Sequence, residues 1–194
     1  MGILSALRGG GLRSPKSIRH KGKSVPDILA EHARFVRGEE GGVRADLSGA
    51  DLARVNFERA ELAYVVFRGA NLEGANMKEA KLSFADLSEA RLCGADLRKA
   101  DLTETNLQKA NLTGAQVGGA ELFRANLRGA VLRDADFGVA NFRDADVDGA
   151  DFRGANMKAT ILRETKLDGA NLTGVDLSTA LLPRGYQPNS SGKN

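Results

Sequence analysis

The chain has 194 residues, 42% hydrophobic and 27% charged, which suits a soluble folded domain, but only 5% are aromatic and there is no Trp, so a conventional core built round bulky rings is not expected and repetitive packing must replace it. A single cysteine, Cys93, excludes an intrachain disulfide framework, and His20 and His32 share no usual zinc spacing with it, so neither metal nor cofactor is expected. The net charge of +3 conceals an uneven split: residues 1–24 hold six basic side chains and no acid, while residues 25–194 hold 22 basic and 25 acidic ones.

Residues 1–24, MGILSALRGGGLRSPKSIRHKGKS, read as a flexible basic arm, because Gly-rich, cationic and acid-free segments bury too little apolar surface to order themselves. Arg8, Arg13, Lys16, Arg19, Lys21 and Lys23 are its candidate contacts with anionic membrane or nucleic-acid phosphate. A solvated tail and a targeting segment compete for the same residues. Ala6 stands where a myristoylation pattern wants Ser or Thr, and no run of eighteen apolar residues occurs, so the expected location is the cytoplasm or the periphery of a membrane. The GGG at 9–11 lacks the GKS or GKT ending of a phosphate-binding loop.

Residues 25–44 read as a helical cap and linker. Ser24 with Asp27 resembles a capping box, acids come early and Arg34 and Arg37 late, and Gly38 ends the run. Ile28, Leu29, Phe35 and Val36 give the helix an apolar side expected to cover the start of the segment from Ala45 onward. His32 is expected to be structural or solvated.

From Ala45 to Arg184 the chain divides into 28 pentapeptides without insertion or deletion: ADLSG, ADLAR, VNFER, AELAY and onward to ALLPR. Period five fits neither a helix nor a continuous strand. Ala fills the first place in 22 repeats, and the third place is always Leu, Phe, Met or Val. First and third residues share one face of extended backbone, and the three-residue step to the next repeat demands a corner, so the chain coils round its own interior. The second place is Asp or Asn in 18 repeats, as at turns where short side chains bond neighbouring backbone. Gly holds the fifth place in 11, where a type II turn needs positive φ.

The tandem motif A(D/N)LxG resembles the pentapeptide repeat protein family over about 140 of the 194 residues. The resemblance implies an all-β solenoid, a right-handed quadrilateral β-helix with four pentapeptides per coil and about seven coils, preceded here by the N-terminal α-helical cap. Stacked at about 4.8 Å per coil, such a rod is about 34 Å long. Residues twenty apart then share a side, and Leu52, Leu72, Leu92 and Leu112 form an interior ladder.

On that placement Tyr64, Phe84 and Phe123 face outward from one side, where polar residues are the rule, beside a smooth strip of Gly118, Gly119, Gly138, Val139 and Ala159. With Arg143 and Arg163 at its rim, this is the candidate surface for an unidentified protein partner. At the far end Ile161, Leu181, Pro183 and Tyr186 are candidates for closing the rod or pairing it with a second copy, before a C-terminal tail at 185–194. The carboxylates recur at repeat positions rather than meeting in a pocket, so no enzyme is expected. The leading expectation is a rigid interaction scaffold. The family resemblance adds a second, imitation of duplex DNA to modulate or protect gyrase, and the arm a third, a peripheral membrane platform.

Overall fold

The computed structural model describes residues 11–186. Its repeats solve a problem of backbone accounting: five residues bring five N–H groups, and each must find an acceptor. In the repeat 70–74 all five do. Ala70 N–H closes the corner on Phe67 O (2.9 Å), Asn71 N–H reaches Ala50 O (2.9 Å), and Leu72 and Gly74 N–H reach Arg91 O (2.8 Å) and Cys93 O (3.0 Å). The fifth, from Glu73, is accepted by the Asn71 side-chain oxygen at 3.3 Å.

Because those partners lie about twenty residues away, each turn of the solenoid holds four pentapeptides. Parallel single-residue bridges join second places from Asp46–Val66 through Asp151–Asn171, and Ile161–Leu181 closes the series. Every one of the 18 second-place Asp and Asn residues accepts the N–H two positions on. Several also bond up the rod, as Asn71 Nδ2 does to Asp51 Oδ1 (3.0 Å) and Asn156 Nδ2 to Asp136 Oδ1 (2.7 Å).

First and third places line the interior, and Leu52, Leu72, Leu92, Leu112 and Leu132 are fully buried. Each such side chain contributes about 1.5–3 kcal/mol of burial. The third-place rings lie inside as well: Phe57, Phe67, Phe137, Phe142 and Phe152 are all buried. Phe137, Phe142 and Phe152 belong to one turn and meet edge to face, with centroids 5.1 to 6.0 Å apart. The fourth wall of that turn contributes only Val147, which leaves room for three rings at the centre. Thr105, Thr160 and Thr165 replace Ala in the first place, and each hydroxyl donates to a core carbonyl, of Leu82, Phe137 and Phe142 respectively, at 2.7 to 2.9 Å.

The arm departs from the expected flexibility. Arg13 forms a parallel bridge with Val55, giving its N–H to Arg54 O (2.7 Å) and accepting from Asn56 N–H (2.9 Å). A 3-10 turn at Pro15–Ser17 follows, then a short hairpin of β1 (Arg19–His20) and β2 (Lys23–Ser24), turned at Lys21 and Gly22. Helix α1 (Val25–Val36) starts from Ser24, whose hydroxyl accepts from Asp27 N–H. Ile18, Val25 and Ile28 are buried with the first coil, so apolar residues hidden among the cations hold the arm down. Arg8 lies outside the described residues. The expected apolar side of α1 is also revised: Ile28 is buried and Leu29 half-buried, but Phe35 and Val36 face solvent. The inward place falls instead to His32.

At the far end the bridge between 156 and 176 is skipped among the described residues. Leu172, Val175, Ala180 and Leu182 are half-buried there, and Tyr186 folds back on the core with its N–H on Pro183 O (3.2 Å).

Urea unfolding should separate the two elements of the repeat. Leu112→Ala is expected to cost about 2–5 kcal/mol through its cavity, and Asn111→Ala, which strips the acceptor from Thr113 N–H, about 1 kcal/mol.

Candidate functional site

The side made of residues 60–64, 80–84 and each twentieth residue beyond departs most from the repeat rule. Tyr64 and Phe84 stack with centroids 5.0 Å apart and planes 6° from parallel, yet each remains 41% exposed. Both hold the corner position with positive φ, 67° and 60°. A side chain in this left-handed region costs about 1–2 kcal/mol relative to the right-handed one. Most other corners carry Gly or a charged residue.

Three turns beyond Tyr64, half-buried Phe123 lies under two guanidinium groups, Arg124 at 4.8 Å and Arg143 at 5.4 Å from its centroid. Arg124 pairs with Asp144 (3.7 Å) and Arg143 with Glu164 (3.0 Å). Arg163, on the next turn, is exposed. The structure therefore makes two clusters of the five candidate partner residues: the Tyr64–Phe84 stack, and Phe123 with Arg143 and, beyond it, Arg163. Glu104 occupies the corner between them.

A further feature escaped the reading of single residues. Half of the ten second places that lack Asp or Asn belong to this side: Glu61, Lys81, Glu121, Ile161 and Leu181. The N–H groups of Ala63, Ser83, Phe123 and Arg163 thus lack the acceptor that Asp101 supplies to Thr103 on the same side at 3.0 Å. Sorting the departures by side, rather than along the chain, would have found it. The neighbouring strip is smooth, as expected, with one exception. Val139 is 64% exposed and has φ 53°, which is strained for a β-branched residue.

Three of the arm's five described cations are paired within the molecule. Arg13 pairs with Asp51 (3.3 Å), Lys21 with Asp46 (2.6 Å) and Lys23 with Glu31 (2.7 Å). Arg19 donates to Gly22 O (2.8 Å) and remains exposed, as does Lys16. Charges on the rod form ladders as well: Arg59–Glu79 (2.8 Å), Lys81–Glu61 (2.7 Å), and Asp151 between Arg133 (2.6 Å) and Arg153 (2.8 Å). The Arg153 and Arg133 guanidinium groups hold the Asp151 carboxyl well below the usual range.

Cys93 is half-buried, and burial, reinforced by Glu73, pushes its thiol up, away from the reactive thiolate. A cavity of about 240 Å³ lies between arm, helix and first coil, lined by His20, Lys21, Lys23, Glu31, Arg44 and Asp46, but both lysines are paired with its own carboxylates. Among the described residues, no group of three or more His, Cys, Asp or Glu is placed to hold a metal ion, and no helix is long and apolar enough to cross a membrane. At the C-terminal end Ile161 bridges Leu181, which is exposed, and Pro183 and Tyr186 close the last turn.

The sequence matches the family model for pentapeptide repeats, in eight copies, over residues 43–78, 80–116, 120–158 and 150–182. No curated protein sequence matches it significantly. Among solved structures it is similar to HetL, a pentapeptide repeat protein involved in heterocyst differentiation regulation in the cyanobacterium Nostoc sp. strain PCC 7120, at 28% identity over 74% of this chain and 87% of that one, with a TM-score of 0.35. It is similar to Rfr23 from the cyanobacterium Cyanothece 51142 at 24% identity, over 74% of this chain and 98% of that one, with a TM-score of 0.42. Full-length QnrB1, a plasmid-mediated fluoroquinolone resistance protein, is 22% identical over 72% of this chain and 73% of that one, with a TM-score of 0.37.

Val139→Gly removes the strained corner and is expected to raise stability by about 1 kcal/mol in urea unfolding. A loss of stability would mean that the exposed methyl groups contribute more to packing than the strain costs.

Proposed function

The chain belongs to the pentapeptide repeat family, and from that premise we propose that it is a rigid, non-enzymatic scaffold that binds a protein partner through the side bearing Tyr64, Phe84 and Phe123. Proteins of this family fold as right-handed quadrilateral β-helices, whose outer residues stand in columns fixed by the backbone. The observation that carries the reading is the Tyr64–Phe84 stack, exposed and held at positive φ. Aromatic rings already ordered lose little entropy on binding and offer broad apolar area. Acceptors on the partner would complete the N–H groups of Ala63 and Ser83 beside the rings, as Asp and Asn side chains do in other repeats. Arg143 and Arg163 supply a charged rim. A second copy of the chain is the proposed occupant of the C-terminal end, at Ile161, Leu181, Pro183 and Tyr186.

The charge distribution weighs against the family's DNA-imitating role. The repeats carry 18 basic and 21 acidic residues, interleaved in ion-pair ladders rather than gathered into an anionic face. Purified gyrase should supercoil DNA equally well with the protein in large molar excess. The arm's pairs with Asp46, Asp51 and Glu31 likewise weigh against a membrane platform.

Affinity capture from native lysate, read by mass spectrometry, compares the wild type with a Tyr64→Lys, Phe84→Lys, Phe123→Lys triple variant. Lys99 and Lys109 already adopt φ 57° in fifth places on other sides, and Lys78 and Lys158 stand in fourth places as Phe123 does, so the variant is expected to keep the coil. Loss of one partner by tenfold or more is expected. Identical partners for both proteins would remove this side as the binding surface.

A further inference from the structure

His32 is 2% exposed, although it is one of the residues least suited to burial when charged. Both ring nitrogens are used. Ala45 N–H donates to Nδ1 at 3.1 Å, and Nε2–H donates to Ala63 O at 2.7 Å. These two bonds select one neutral tautomer and tie helix α1 to two separate points on the first coil. The ring also stacks on Phe35, with centroids 5.7 Å apart. One residue before Ala45, Arg44 Nε donates to Tyr64 O at 2.5 Å.

We propose that His32 is an acid-sensitive latch: a second proton on its imidazole releases α1 and the docked arm from the first coil. That proton has to go to Nδ1, where it would face the Ala45 N–H, so one bond of the latch is lost and a cation is left in a dry site. The neighbouring charges do not relieve it. Arg44 adds a like charge, while Glu31 on the same helix is held by Lys23 of the arm, and Asp46 on the first coil by Lys21. Burial, with Arg44 acting in the same direction, keeps the ring's pKa below its ordinary value of 6.5 despite the bond to Ala63.

An unfolded or released His32 takes up its proton near pH 6.5, whereas the docked ring resists it. The latch is therefore at full strength above that pH and weakens as pH falls below it, by up to about tenfold per unit until the docked ring itself titrates. Release breaks the Arg13–Val55 bridge and the Lys21–Asp46 pair and bares Ile18, Val25 and Ile28. It also frees the carbonyl of Ala63, immediately before Tyr64, so the device adjoins the aromatic side without depending on any partner.

Hydrogen exchange on the full chain, expressed as protection factors at pH 7.5 and 5.0, tests the latch. In the wild type, amides of residues 13–36 should lose at least tenfold in protection at the lower pH while Leu92 and Leu112 keep theirs. His32→Gln can still accept from Ala45 and donate to Ala63 but cannot titrate, so its protection should be the same at both values. His32→Leu should be poorly protected at both. The same acid loss in His32→Gln as in the wild type would overturn the proposal. Should His32→Gln fail to dock, the wild-type ring decides: in a His20→Gln background, an NMR titration of His32 at 6.5 or above, with α1 still protected, would also overturn it.

Discussion

A five-residue turn of chain satisfies all of its own N–H groups only if the fourth finds an acceptor. The other four are met by the corner and by the coils above and below, but the fourth points out of the ladder, and the second-place Asp or Asn oxygen is the group that reaches it. Once this bond is made, the repeat closes its own polar accounts and the two inward places need only be small and large apolar residues. Stacking is then a matter of register. Twenty residues return the chain to the same side, and the interior becomes a column of Ala alternating with Leu or Phe.

The same constraint shows where the chain gives up local stability. A residue that abandons the fourth-place acceptor, or that puts a ring or a β-branched side chain at a corner with positive φ, weakens the coil locally. Such departures concentrate on and beside one side, in Tyr64, Phe84, Phe123 and Val139 and in the missing second-place acceptors. The threonines that replace Ala in the first place, Thr105, Thr160 and Thr165, keep an internal partner in core carbonyls.

Period, interior and corners were legible in the sequence because each is a local property repeated many times, and the outward placement of Tyr64 and Phe84 came from counting. What was not legible depended on long-range docking. The arm's composition signals disorder, yet Arg13 lies on the rung beneath Val55 and Ile18 is buried, because a solenoid end offers unpaired backbone and apolar surface that a nearby segment can cover. The helix was read by its apolar residues, but its inward contact is made by His32, whose two hydrogen bonds no periodicity reveals. The inward placement of the core rings followed from their third places, but the edge-to-face contact of Phe137, Phe142 and Phe152 depends on side-chain packing across one coil that no period reveals.

The twenty-residue coil is the claim on which every column of outer residues rests. Spin labels on cysteines introduced at Glu73 and Arg153, and at Glu73 and Thr173, in a Cys93→Ser background, measure it directly by pulsed electron resonance. Four and five turns predict backbone separations of about 19 and 24 Å, a rise of about 5 Å for twenty residues. Equal distances for the two pairs, or a difference far from one strand spacing, would contradict the coil and with it the assignment of Tyr64, Phe84 and Phe123 to one side.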